Sequence, residues 1–129
     1  MLTYLLDVAG AGGHCRVRVL GELTEDNMRS MLDRLWSDPV YGQQATAAWD
    51  LGDCQLPELN ALMRIAEFIA THKQGRGPQV LAFVSPAFGE ALLARTFRSF
   101  ERLLKLNLNF FATEAAAVAW LDERRPRDG

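Results

Sequence analysis

The pattern of apolar and polar side chains predicts two strands at the start of the chain, and the second of them alternates clearly. In residues 14–20, three apolar side chains alternate with one histidine and two arginines, which is the two-residue period of a strand with one buried face. Residues 2–8 are similarly predicted to form a strand. Because the glycine-rich link over residues 9–13 is short, these two strands are predicted to form a hairpin.

Three further strands and four helices are predicted after the hairpin, in alternation. Thr24 is predicted to cap the first helix and Thr113 to start the last, since a threonine oxygen can accept a hydrogen bond from the first turn. Asp38-Pro39 is predicted to end the first helix, and Ser85-Pro86 to open the third. The strands are predicted over residues 45–51, 79–84 and 107–112, and the helices over residues 25–37, 57–73, 87–104 and 113–124.

The order of these elements, β-β-α-β-α-β-α-β-α, predicts an α/β fold. Its sheet is five-stranded and mostly parallel, with an N-terminal antiparallel hairpin and flanking helices. The pattern shows no linker, repeat or low-complexity segment. We therefore predict one domain over residues 1–124, followed by a frayed basic tail over residues 125–129.

Composition narrows the function classes. The 129 residues are 49% hydrophobic and carry a formal charge of −2, which argues against a generic nucleic-acid binder. No apolar run approaches the roughly 18 residues of a membrane span, so we expect a cytoplasmic protein without integral membrane association. Two cysteines and two histidines are too few for a typical structural zinc site. No cofactor or metal is predicted.

The second predicted helix, residues 57–73, is apolar over most of its circumference. One stripe suffices to dock it on the sheet, and Ala61, Ile65 and Phe68 form a second stripe beside it. Such a helix is either deeply buried within its own domain or covered by a partner subunit or an apolar ligand. The sequence leaves both explanations open.

The third predicted helix carries basic side chains on one face. Arg95, Arg98 and Arg102 recur at helical spacing. This face could engage an acidic partner or anionic headgroups, or it could simply be solvated.

A different function class is suggested by the end of the third predicted strand. Asp50 and Asp53 follow that strand, where open α/β sheets bind their ligands, and Cys54 is adjacent. A small enzyme or ligand sensor using these three residues is the alternative hypothesis. The competing explanation is that the two aspartates shape the loop. A dyad between a cysteine and a histidine also stays open, because such partners are spatial neighbours.

Two local stretches, together with the element order, resemble a known superfamily. Residues 50–59, Asp-Leu-Gly-Asp-Cys-Gln-Leu-Pro-Glu-Leu, and residues 84–87, Val-Ser-Pro-Ala, are similar to the SpoIIAA-like or STAS superfamily of anti-sigma-factor antagonists. The small bacterial STAS-SEC14-like proteins are the nearest group, and the likeness spans residues 2–122. The resemblance implies a binding or regulatory module, and the SEC14-like association implies a lipid-like ligand as one option.

The chain departs from that superfamily at its regulatory position. Antagonists are switched by phosphorylation of a serine at a helix N-terminus, where the added charge meets the helix dipole. The matching positions here are Leu56 and Pro57, and residues 47–70 contain no serine or threonine. A phosphorylation switch of that kind is therefore not expected.

Taken together, these features predict a non-enzymatic binding module. We expect a homodimer that presents its second and third helices to a protein partner or an apolar small molecule. No catalytic residue is predicted. The residues predicted to bind are Leu56, Ile65, Phe68, Phe97, Arg98 and Arg102.

Overall fold

Six strands and five helices make up the part of the chain that the computed structural model describes, residues 2–73, 76–89 and 97–125, with only the backbone described for residues 97–100. The strands are β1 (Leu2–Ala11), β2 (His14–Glu22), β3 (Thr46–Asp50), β4 (Cys54–Gln55), β5 (Val80–Val84) and β6 (Leu108–Phe111). The helices are α1 (Glu25–Trp36), α2 (Pro39–Gly42), α3 (Leu59–His72), α4 (Phe97–Lys105) and α5 (Glu114–Arg124). The predicted alternation of strands and helices is confirmed.

Two glycines build the turn of the opening hairpin. β1 and β2 pair antiparallel, and Gly12 and Gly13 between them have φ values of 58° and 92°. Positive φ at both central residues is what a two-residue hairpin turn of type I′ requires, and glycine adopts it without steric cost. The predicted hairpin is therefore confirmed, with longer strands and a tighter turn than expected.

The main path of the sheet runs β1-β2-β3-β5-β6, and every pair after the hairpin is parallel. A sixth strand, β4, pairs only with the end of β2, where Gly21 lies opposite Cys54 and Glu22 opposite Gln55. The sequence analysis missed β4 because two residues are too few to show a period. It also missed α2, for which Asp38 provides the N-cap and Pro39 the first residue.

The strand order fixes which helices share a face. Strands β2, β3, β5 and β6 follow one another in space as they do in the chain, so right-handed crossovers place α1, α3 and α4 together. These helices bury the larger core cluster against Val17, Trp49, Phe83 and Phe110. Helix α5 packs on the opposite face, through Ala117 and Leu121 onto the small side chains of β3 and β5. We call these the helical face and the α5 face.

Only part of the α5 face is covered in the described residues. Helix α5 lies mainly over β3, β5 and β6 and reaches the hairpin only near its turn, where it contacts His14 and Arg16, so the α5 face of the hairpin away from the turn is open to solvent. Thr3, Leu5, Asp7 and Arg18 are exposed there. The open half of the sheet is thus the half that ends in β1.

Two predicted helix starts are wrong. Helix α3 begins at Leu59, not at Pro57, because Glu58 keeps an extended backbone with ψ of 160°. Ser85-Pro86 does not open a helix: the Ser85 hydroxyl accepts from the Ala87 amide at 3.2 Å, and the Ser85 carbonyl accepts from Phe88. These bonds form a turn, and the next described helix begins at Phe97.

Candidate functional site

A cleft on the helical face opens between α1 and α3. Three apolar side chains form its floor, and three charged side chains form its rim. The floor consists of Met28, Ile65 and Phe68, and the rim consists of Glu25, Arg29 and Arg64. We call this site the α1–α3 cleft.

Local sequence explains how α1 presents its side of the cleft. The Thr24 hydroxyl accepts from the Asn27 amide at 3.1 Å and so starts the helix, as predicted. Glu25 then falls in the first turn, where the helix dipole favours a carboxylate. Met28 and Arg29 follow one turn later, at the positions that meet a neighbouring helix.

Helix α3 contributes the apolar stripe that the sequence singled out. Ile65 is only 3% exposed and Phe68 is half-buried. Both contribute to the cleft beside α1, so this second stripe is covered largely within the chain. Of the two explanations left open by the sequence, burial within the domain accounts for Ile65, and Phe68 remains partly accessible.

The charged rim is held by weak, exposed contacts. Arg64 Nε donates to Glu25 Oε1 at 3.0 Å, and the two side chains are 61% and 46% exposed. The Arg29 guanidinium lies 5.0 Å from the centre of the Phe68 ring. Exposed ion pairs contribute roughly 0–1 kcal/mol, so Arg64 can exchange its partner at little cost.

The size of the cleft limits what it can hold. Its volume is about 210 Å³, whereas pockets that enclose a small-molecule ligand usually measure roughly 300–1,000 Å³. The cleft can accept a protruding side chain, while an acyl chain would remain mostly outside it.

The other predicted binding residues lie elsewhere. Leu56 is half-buried between β4 and α3 and packs on the larger core cluster. Arg102 Nη2 lies 3.0 Å from Glu67 Oε1, an exposed pair that links α4 to α3. Phe97 and Arg98 fall in the first turn of α4, and their side chains lie outside the described residues. The prediction therefore located two residues of the cleft, Ile65 and Phe68.

A second cleft lies on the α5 face, at the carboxyl ends of β3 and β5. Its lining includes Asp50 and Asp53, which the sequence grouped together, but not Cys54. Asp53 accepts from Arg18 Nη2 at 2.6 Å, and Asp50 accepts from the Gly52 amide at 2.9 Å. Both carboxylates are thus engaged in local contacts, as expected for residues that shape a loop.

Cys54 is poorly suited to act as a nucleophile. Burial raises the pKa of its thiol from the ordinary 9.0 to about 11. The neutral thiol that results is a weak nucleophile at neutral pH. The arrangement of Asp50, Asp53 and Cys54 therefore gives no support to the enzyme alternative.

One polar network was missed by the sequence analysis. His14 is buried on the α5 face, where its Nε2 lies 2.7 Å from Asp122 Oδ1. Its Nδ1 is hydrogen-bonded to the Thr46 hydroxyl. Hydroxyl, imidazole and carboxylate occur in this order in nucleophilic enzymes. However, Thr46 is buried and lines neither cleft, so the network fastens α5 to the sheet.

The alternation of apolar and polar side chains along β2 indicates part of this network. It places His14 on the face opposite Cys15, which rules out a dyad between those two residues. A buried histidine needs polar partners, but Asp122 is 108 positions away along the chain. Nothing local in the sequence identifies it.

The part of the chain that the structure describes contains neither a metal-binding cluster nor a membrane-spanning helix. No cluster of three or more histidine, cysteine, aspartate or glutamate side chains is placed to hold a metal ion. No helix there combines the length and apolar character needed to cross a membrane.

Comparison with known proteins identifies the fold. No protein-family model matches the chain, and no curated protein matches it. Among solved structures it is similar to an uncharacterised protein of the DUF3478 family with a SpoIIAA-like fold, from Shewanella loihica PV-4. The TM-score is 0.55, with 17% sequence identity over 93% of each chain. The chain therefore has a SpoIIAA-like fold, in agreement with the resemblance found in its sequence.

Proposed function

We propose that this chain is a protein-binding regulatory module, and that the α1–α3 cleft receives an apolar side chain of the partner protein. The observation that carries the proposal is the apolar floor of the cleft inside a ring of charged side chains. A desolvated centre within a polar rim is the usual anatomy of a protein interface.

The residue types at the cleft support a protein partner. Aromatic and arginine side chains are enriched among the residues that dominate binding energy. Phe68 offers part of its ring, and the Arg29 guanidinium lies over that ring. An acidic or polar group of the partner could bond to Arg29 while an adjacent apolar group contacts Phe68.

The charges of the rim indicate which chemical groups the partner should present. The rim holds two arginines and one glutamate, and Arg64 is held by an exposed ion pair that is easily exchanged. A partner with a carboxylate beside an apolar side chain would fit both the rim and the floor. The alternative, an apolar small molecule, is less favoured because of the small volume of the cleft.

The fold by itself does not specify this function, because one fold hosts many activities. The proposed binding does not require a phosphorylated serine. Helix α3 begins after Glu58, and Leu56 and Pro57 precede it in place of the serine position of antagonists. Partner binding is thus proposed to depend on the shape and charge of the cleft.

A pair of charge reversals tests the proposal. Arg64 pairs with Glu25 at the cleft, and Arg16 pairs with Glu114 on the opposite face of the sheet at 2.7 Å. The tagged full chain, its Arg64→Glu variant and its Arg16→Glu variant would be purified from the native host. Co-purifying proteins would then be quantified by mass spectrometry.

We expect at least one protein to co-purify with the wild type. Its recovery with the Arg64→Glu variant should fall at least about tenfold, equivalent to about 1.4 kcal/mol of binding free energy. The Arg16→Glu variant should retain it. Equal recovery with both variants, or loss with Arg16→Glu alone, would contradict the proposal. A lipid-sized mass bound to the wild type in native mass spectrometry would instead favour the small-molecule alternative.

A further inference from the structure

The outer side of β1 is an unpaired sheet edge in the described part of the chain. β1 is the first strand of the sheet path and pairs only with β2 there. The Leu2 carbonyl accepts from Arg34 Nη2 at 2.6 Å, and beyond Leu2 the outward backbone amides and carbonyls have the geometry to pair with another strand. The inference concerns this edge and is independent of the α1–α3 cleft.

Exposed apolar side chains are concentrated on this strand. Leu5 is 57% exposed and Val8 is 49% exposed, which makes them the two most exposed large apolar side chains among the described residues. Natural edge strands are usually protected by lysine, proline or inward-pointing charges. β1 contains no lysine, arginine or proline, and its single charge is Asp7.

A bulge divides β1 into a regular half and an irregular half. The register with β2 is continuous from Leu2 to Asp7 and shifts between Asp7 and Ala11. A bulge bends the edge and discourages pairing beyond it. The first six residues therefore remain as a regular segment, and six residues are a typical strand length.

We propose that this segment pairs antiparallel with the same segment of a second copy of the chain, around a two-fold axis at Leu5. Thr3 and Asp7 lie two positions on either side of Leu5, so each Thr3 comes opposite an Asp7 of the other copy. The threonine hydroxyl can donate to that carboxylate, while the two Leu5 side chains bury each other. The pairing joins the two sheets into one.

Charge and symmetry favour this register, and they favour a second copy of the chain as the partner of the edge. A two-fold axis at Asp7 would place two carboxylates opposite each other, which is unfavourable. At Leu5, by contrast, the segment is its own complement, as a closed two-fold interface requires. Thr3, Leu5 and Asp7 lie on the open α5 face of the hairpin, where the described part of α5 leaves them exposed.

Light scattering on the purified full chain provides the first test. We expect the wild type to have the molar mass of a dimer at micromolar concentration. Leu5→Lys places two ammonium groups at the axis and should halve that mass. Leu104→Lys replaces another exposed leucine, on α4, and should leave the dimer intact.

Engineered cysteines test the register of the paired strands without depending on the Leu5→Lys variant. In a Cys54→Ser background, Leu5→Cys should form a disulfide-linked dimer on oxidation, because the two Leu5 positions face each other. Thr3→Cys should not link to itself, since its two copies would lie four residues apart along the strands, roughly 13 Å, beyond the roughly 7 Å limit between Cα atoms.

Three results would overturn the proposal. They are a monomeric wild type, a Leu5→Lys variant that keeps the dimer mass, and a Thr3→Cys variant that cross-links as readily as Leu5→Cys. A correctly folded monomeric wild type would mean that the edge is either unoccupied or pairs with a strand of another protein.

Discussion

Gly12 occupies a position where a side chain would be unfavourable for two reasons. Its φ is +58°, and a Cβ atom added there would lie 2.6 Å from Val118 Cγ1 of α5. The left-handed conformation costs a residue with a Cβ about 1–2 kcal/mol, and Val118 would also have to move. The tight turn and the docking of α5 therefore constrain the same residue.

We expect Gly12→Ala to lower the free energy of unfolding by at least about 1 kcal/mol. The measurement is urea denaturation followed by circular dichroism. Gly42→Ala is the matched control, because no described atom lies within 4 Å of a Cβ at that position and its φ is not positive. A Gly12→Ala protein as stable as the Gly42→Ala control would show that the turn is not constrained in this way.

Cys54 provides a pH-dependent prediction. Burial disfavours the charged thiolate, so the pKa of Cys54 rises from 9.0 to about 11. Its reaction with a thiol reagent should be slow at pH 7 and accelerate as the pH rises towards 11, since the thiolate is the reactive form. The measurement is the modification rate against pH, with Cys54→Ser used to subtract the contribution of Cys15. A rate that levels off near neutral pH would revive the enzyme alternative.

Threonine caps show how far element boundaries can be predicted from local chemistry. Thr24 and Thr113 each accept a hydrogen bond from the amide three residues on, in Asn27 and Ala116. Both starts were predicted, because a side-chain oxygen at that position is a direct local signal. Helix α3 lacks such a signal: Glu58 makes no capping bond among the described residues, and the predicted start is two residues early.

Replacing either capping threonine should lower the stability of the protein by a similar amount. We expect Thr24→Ala and Thr113→Ala each to lower the free energy of unfolding by about 1 kcal/mol, since each leaves an amide without its acceptor. Thr71→Ala, in the last turn of α3, is the control, because the Thr71 hydroxyl bonds to carbonyls of the preceding turn and to the His72 ring and caps no amide at a helix start. Denaturation curves for the three variants provide the comparison. If Thr71→Ala lowered the free energy of unfolding as much as the other two variants, the claimed contribution of the helix caps would be contradicted.

The candidate site was predictable only where a repeating pattern revealed it. Ile65 and Phe68 stand out because α3 has more apolar surface than the sheet requires. Met28 and Arg29 did not stand out, since the neighbour of α3 is set by the tertiary arrangement. The same limit applies to His14 and its distant partner Asp122.

At the scale of the whole molecule, the strand order separates two surfaces. Because the parallel strands follow chain order, α1, α3 and α4 pack together on one face and create the α1–α3 cleft. The hairpin ends the sheet at β1, whose outer side is unpaired in the described part of the chain. The first surface is the proposed site for a protein partner, and the second is the proposed site for a second copy of the chain.

Site-specific photo-cross-linking tests the proposed partner site most directly. Glu25 and Glu114 are matched positions: each is the first residue of a helix, follows a capping threonine and pairs with an arginine. A benzophenone amino acid would replace each in turn in the native host. We predict that position 25 forms a covalent adduct with another protein and that position 114 does not form the same adduct. No protein adduct from position 25, or the same adduct from both positions, would contradict docking at the α1–α3 cleft.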